Sequence, residues 1–181
     1  MKINIKNRFL RELISWILYL GGAAIFAVFI STFVIINAEV ISGSMEPTIM
    51  TKDKVIGFRQ AYLLSEPKRG DIIMFRAPDS PDEAPYVKRV IGLPGETVRI
   101  DGGKIYINYA VNPLDESVYL KVVPNSEKDN VYEVPQNSYF VLGDNRNKSL
   151  DSPLWKNKYV PKEYILSKVI LRIQPKIGFV K

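Results

Sequence analysis

The stretch from Leu13 to Ile36, LISWILYLGGAAIFAVFISTFVII, runs for 24 residues without a charged side chain, and the next charge is Glu39. As a helix it would reach roughly 36 Å, enough to cross a hydrocarbon core of about 30 Å with some tilt. It lacks the polar face that a buried soluble helix of this length usually carries. It also exceeds the apolar segment of a cleaved secretory leader, usually about 7 to 15 residues. The stretch therefore predicts an uncleaved membrane anchor over 13–36, with a short basic arm at 1–12 before it and one domain at 37–181 after it.

Toward the N-terminus, Lys2, Lys6, Arg8 and Arg11 against Glu12 supply half of the net charge of +6. Lys and Arg clustered beside an anchor favour the cytoplasmic side, so the N-terminus is expected in the cytoplasm and residues 37–181 outside it. A mildly basic remainder without a recognition helix gives little reason to expect a nucleic-acid partner. The partner expected from the anchor itself is the lipid bilayer.

Toward the C-terminus the pattern becomes short and strand-like. Lys54–Phe58, Asp71–Arg76, Tyr86–Gly92, Thr97–Ile100, Lys104–Asn108 and Ser138–Leu142 are rich in β-branched and aromatic residues and bounded by turn formers. Asp101-Gly102-Gly103 between two alternating runs predicts a hairpin. Ala77–Pro85 reads as an exposed loop, Pro161–Ile165 as a helical turn, and Lys168–Ile173 as a last strand. The expected fold is thus mainly β, one transmembrane helix followed by a barrel-like or sandwich-like domain with little helix.

Composition narrows the chemistry. The chain has no His and no Cys, which excludes a Ser-His-Asp triad, a cysteine nucleophile, imidazole or thiolate metal sites and disulfides. Carboxylates are scattered, and neither a phosphate-cradling loop nor a dinucleotide fingerprint is present, so no metal and no cofactor is expected. Without histidine, a serine can be activated by a lysine whose amine is neutral near working pH. An unperturbed amine titrates near 10.4, so the fold would have to depress such a lysine by several units. Ser42-Gly43-Ser44-Met45-Glu46-Pro47-Thr48 and Lys88, inside the run Tyr86–Ile91, are the candidates. Each taken singly reads more readily as a turn or as a solvated strand residue, and Gly143–Ser152 reads singly as an ordinary polar connection.

In combination and in this order, four segments closely resemble the boxes of the type I signal peptidases. They are S-G-S-M-E-P-T (Ser42–Thr48), G-D-I-I-M-F (Gly70–Phe75), Y-V-K-R-V-I-G-L-P-G-E (Tyr86–Glu96) and G-D-N-R-N-K-S-L-D-S (Gly143–Ser152). The least distinctive stretch is Val111–Pro135. The short chain with one anchor is most similar to the Gram-positive members. The resemblance implies a membrane-bound serine endopeptidase that removes signal peptides from secreted preproteins after small residues (Ala-x-Ala) through an acyl-enzyme. It implies Ser44 as nucleophile, Lys88 as general base, Ser42 with the Ser44 amide as oxyanion hole, and Ser149 as the group orienting the lysine. Asp151 and Arg89 match a supporting polar cluster, while Val40, Met45, Tyr86 and Val87 match the shallow substrate pockets. One departure stands out: the family usually reads D-S-R where this chain has Asp151-Ser152-Pro153. Asp151 would then have to rely on Arg89, Arg146 or water. The competing reading is a catalytically inactive, membrane-tethered β-domain that binds extracytoplasmic partners. Ser167, where the family often has glycine, is a second and milder departure.

Overall fold

Residues 8–82, 84–122, 124 and 130–180 are described by a computed structural model. They fall into two units, one ending at Ile35 and the other beginning at Ile36. The first is helix α1 (Arg8–Phe29), continued by a wider π turn over Ile30–Val34. Trp16, Leu18, Tyr19 and Leu20 are among its many exposed apolar side chains. It is the one helix among the described residues long and apolar enough to cross a membrane. The helix starts before the expected anchor of 13–36, and Ile35 and Ile36 are already extended. Two consecutive β-branched residues followed by Asn37 favour a strand over another helical turn.

That strand is β1 (Ile35–Glu39), and among the described residues ten more follow it: β2 (Lys54–Phe58), β3 (Ile72–Phe75), β4 (Tyr86–Gly92), β5 (Thr97–Asp101), β6 (Lys104–Ile107), β7 (Asn130–Glu133), β8 (Ser138–Leu142), β9 (Val160–Pro161), β10 (Ile165–Gln174) and β11 (Gly178–Phe179). The architecture is mainly β, as expected. The larger sheet runs β1-β2-β10-β3-β4-β8-β9 with β11 added to β10, and β6-β5-β7 form a separate three-stranded sheet. The predicted strands are all present, the last one longer than expected, and the helical turn before it is a 3-10 turn over Lys162–Tyr164. Strands β1, β7, β9 and β11 were not legible; two of them have only two residues each.

The hairpin β5–β6 closes with Asp101 paired to Lys104 and with Gly102 and Gly103 at φ +54° and +76°. Those left-handed values are what a two-residue turn between right-twisted strands requires. Of the expected loop 77–85, residues 77–82, 84 and 85 do leave the sheet, but Ala77 is buried, and the Asp79 carboxylate accepts the amides of Lys156 and Asn157 at 2.9 and 3.0 Å; Glu83 lies outside the described residues.

The unbroken apolar run of β3 follows from its central place. Alternation sends Ile72 and Met74 into one core with Val40, Met45, Ile49 and Val55, and Ile73 and Phe75 into another with Val90, Tyr139 and Val141. A third core, around Ile91, Val98, Ile105 and Phe140, joins the small sheet to β4 and β8. Ser167 on β10 is buried, and its hydroxyl has no hydrogen-bond partner among the described residues. It fits because Gly57 on β2 has no side chain: a Cβ there would lie 2.1 Å from the Ser167 hydroxyl.

Candidate active site

Ser44 sits in one 3-10 turn, Gly43–Met45. The turn is anchored from within, because Met45 and Ile49 are buried and the Ile49 amide donates to the Met45 carbonyl at 3.0 Å. Just upstream, the Val40 amide donates to the Asp53 carbonyl at 2.9 Å. Ser44 is 9% exposed, Ser42 is exposed, and their hydroxyl oxygens lie 3.3 Å apart.

Lys88 reaches the site from β4, whose register with β3 pairs Lys88 with Ile73. It is only 4% exposed. Its Nζ donates to the Ser149 hydroxyl at 2.6 Å and lies 2.8 Å from Asp151 Oδ1. Ser149 in turn donates to Asp151 Oδ1, so the hydroxyl accepts from the amine while donating to the carboxylate. Asp151 Oδ2 accepts the Gly143 amide at 2.8 Å. A buried carboxylate is tolerated when several donors satisfy it; here they are an amine, a hydroxyl and a peptide N–H. Ser44 Oγ thus hydrogen-bonds with Ser42, and Lys88 Nζ with Ser149.

The loop after β8 holds these parts together. The Asn145 amide donates to the Ser44 carbonyl at 2.9 Å, and the Asn145 side chain donates to the Gly43 carbonyl at 3.0 Å. Gly143 passes so close that a Cβ on it would lie 2.3 Å from the Ser149 hydroxyl and 2.4 Å from the Ser44 carbonyl. Asp144, 3% exposed, receives Arg89 through Nε at 2.8 Å and Nη2 at 2.7 Å, and also accepts the Thr48 hydroxyl. Arg89 Nη1 donates to the Gly70 carbonyl at 2.8 Å. Arg146 Nε donates to the Gly143 carbonyl at 2.9 Å, and its two terminal nitrogens grip Glu116.

Ser42, Ser44, Lys88, Ser149 and Asp151 are thus linked through short polar contacts and the Gly143–Asn145 segment. Arg89 and Arg146, offered by the sequence as company for Asp151, are engaged elsewhere, with Asp144 and Glu116. In place of the usual arginine, Asp151 has Lys88, Ser149 and the Gly143 amide. Of the residues expected to line substrate pockets, Val40, Met45 and Val87 pack in one core. Tyr86 packs in another, with its ring 6.3 Å from Phe75 and 6.2 Å from Trp155.

Sequence reasoning gave no role to Asp144, Asn145, Thr48 or Gly143, although all lie inside the quoted boxes. It also passed over Glu116 and Tyr119, which sit in the least distinctive stretch. Tyr119 donates to Glu116 at 2.7 Å, and the Arg89 guanidinium stands 4.0 Å from the centre of its ring. Burial first, then the Glu116 charge, pushes the Tyr119 phenol well above its usual value. Among the described residues, no group of three or more carboxylates could hold a metal ion.

Residues 13–174 match the family model described as signal peptidase, peptidase S26. A probable signal peptidase I-2 of Synechocystis is 40% identical over 84% of this chain and 69% of its own length. A signal peptidase I of Leptolyngbya laminosa is 39% identical over 86% of this chain and 77% of that protein. The signal peptidase I S of Bacillus subtilis is 32% identical over 78% of this chain and 79% of its own.

Proposed function

The chain belongs to the signal peptidase S26 family and removes signal peptides from the preproteins that carry them; from that premise we propose that Ser44 is the nucleophile and Lys88 the general base. The observation that carries this assignment is one buried amine held at 2.6 Å by Ser149, a residue of the same loop whose Asn145 amide grips the Ser44 carbonyl. Lys88 in its neutral form takes the Ser44 proton, the serine oxygen attacks the peptide carbonyl, and the C–N bond breaks as the protonated lysine gives that proton to the leaving amine. Water then attacks the resulting ester with the same lysine as base. Ser149 accepts from the amine and keeps its lone pair aimed. The Ser44 N–H and the Ser42 hydroxyl donate to the developing oxyanion. The short hydrogen bond between the reacting groups forms with substrate in place, as catalytic contacts commonly tighten in the bound complex.

Val40, Met45 and Val87, with Tyr86 two residues before Lys88 on β4, form the apolar lining proposed for small residues at the first and third positions before the cleaved bond. The anchor carries the enzyme in the bilayer with its basic arm cytoplasmic and residues 37–181 outside, in a single-anchor layout. The two cyanobacterial relatives are more similar than the Bacillus one, so the likeness to Gram-positive members rests on layout, not on nearness of sequence.

Cleavage of a precursor whose signal ends in Ala-x-Ala, followed in detergent by gel and mass spectrometry, tests the assignment. Ser44→Ala and Lys88→Met should each abolish cleavage after the last Ala, and Ser42→Ala should lower kcat by about 100- to 1,000-fold. Processing by either of the first two variants removes that residue from the mechanism. A folded wild-type protein that cleaves no such precursor would return the domain to the inactive, partner-binding reading.

A further inference from the structure

Between β6 and β7 the chain makes an excursion that contributes no strand before residue 122, and much of it is exposed, including Val111, Ser117 and Val118. One carboxylate within it, Glu116, is nonetheless only 6% exposed. Burying a carboxylate is unfavourable unless it is paired and hydrogen-bonded. Glu116 is both: Arg146 reaches its two oxygens at 2.5 and 3.2 Å, and Tyr119 donates at 2.7 Å. A single turn makes this possible, since the Tyr119 and Leu120 amides both donate to the Glu116 carbonyl, at 3.1 and 2.8 Å.

What this turn grips lies within a few bonds of the proposed dyad. Arg146, held by Glu116, donates to the carbonyl of Gly143, and the Gly143 amide donates to Asp151, which pairs with Lys88. The ring of Tyr119 covers the guanidinium of Arg89, which forks onto Asp144, the acceptor of the Thr48 hydroxyl. One turn of an otherwise exposed loop therefore braces the lysine side of the site through Arg146 and the serine side through Arg89. Gly143 stands within contact of both Ser44 and Ser149, so small displacements there move both reacting groups.

We propose that Glu116 and Tyr119 are positioning residues for peptide-bond cleavage, a clamp that fixes Gly143 and Asp144 and through them the relative placement of Ser44 and Lys88. The inference rests on the reading of Ser44 and Lys88 as the reacting pair. A clamp of this kind acts on the chemical step and leaves the pockets alone, so its loss should appear in kcat with little change in KM.

The experiment uses the full chain in detergent with an Ala-x-Ala precursor, and scales rates to the folded fraction measured by circular dichroism. Glu116→Gln and Tyr119→Phe are each expected to lower kcat, by about 2- to 30-fold, with KM held within about twofold. Arg146→Met should lower kcat similarly, and combining it with Glu116→Gln should be no worse than the poorer single variant, because both break one linkage. Tyr119→Phe removes only a hydroxyl and decides the matter if Glu116→Gln does not fold. Wild-type kcat in the folded variants, whatever their melting temperatures, or losses that multiply in the double variant, would overturn the clamp while leaving an inactive Lys88→Met enzyme as it is. Activity in Lys88→Met would instead overturn the dyad reading and the clamp with it.

Discussion

Lys88 and Arg89 are adjacent on β4, equally cationic, and 4% and 2% exposed, yet they are held in opposite ways. Arg89 is fixed by a two-pronged fork onto Asp144, a third bond to the Gly70 carbonyl and the ring of Tyr119. Its planar, permanently charged head suits that duty, because all three of its nitrogens donate in one fixed geometry. Lys88 has one hydroxyl acceptor and one carboxylate neighbour at a single mobile nitrogen. A lysine amine can lose a proton and still be oriented by the hydroxyl, which a guanidinium in a protein does not do. The lesson is a division of labour between neighbours: one cation serves as a fixed brace and the other as the proposed proton carrier.

Exchanging the two kinds of cation is the most severe test. Lys88→Arg preserves the charge facing Asp151 but supplies no base, so cleavage should fall by about 10,000-fold or more, comparable to removing a member of a catalytic unit. Arg89→Lys keeps the charge facing Asp144 and loses the fork. It should retain measurable cleavage while lowering stability by about 1–3 kcal/mol, read from urea unfolding of the detergent-solubilised protein. Residual activity in Lys88→Arg near the wild-type rate would end the comparison, since a fixed cation would then serve as well as a titrating one.

The next largest effect is expected where the two halves meet. The close backbone approach is clearest at Gly143, not at Gly43 beside Ser44. A Cβ on Gly43 would meet only the flexible Glu46 carboxylate, at 3.0–3.2 Å. On Gly143 it would meet a buried backbone carbonyl and the hydroxyl that orients Lys88. Gly143→Ala should therefore lower kcat by about 100-fold, the scale of an ångström of misplacement between reacting groups. Gly43→Ala should fall well short of that in the same assay. Equal losses at both glycines would show that the approach at Gly143 is not special.

These contrasts explain what could be read from the residues alone. The anchor and the strands with clean alternation were legible because burial on one face or both writes a period into the side chains. Strand β7 was not, since Asn130-Val131-Tyr132-Glu133 is short and only Tyr132 in it is buried. At the site, Ser44 and Lys88 carry chemistry that few residue types can carry, so they stood out. Glu116 and Tyr119 act through Arg146 and Arg89, and their local sequence, Asp115-Glu116-Ser117-Val118-Tyr119, has the composition of an ordinary polar loop. Their position against β4 and the Gly143 loop is a tertiary fact. The partners of Asp151 were hidden for the same reason: the missing arginine at Pro153 was visible, but the supply of its place by Lys88, Ser149 and a backbone amide was not.

The smallest effect separates the two cations by pH. Burial, then the Glu116 charge, raises the Tyr119 phenol, and burial leads the same upward push at Tyr62, seconded by Asp71, and at Tyr139, seconded by its bond to Glu66. In the unfolded chain these phenols ionise near 10. The fold favours their neutral form, so the stability they contribute is complete below about pH 10 and declines as pH rises further, toward the higher folded values. The midpoint of urea unfolding should accordingly fall between pH 9 and 11. Tyr119→Phe, which keeps the ring under Arg89 but has nothing to ionise, should make that fall shallower. An identical slope in the variant would detach Tyr119 from the alkaline loss. A shallower one would mean that alkaline conditions weaken the brace on the Arg89 side of the site, through the phenol that Glu116 holds.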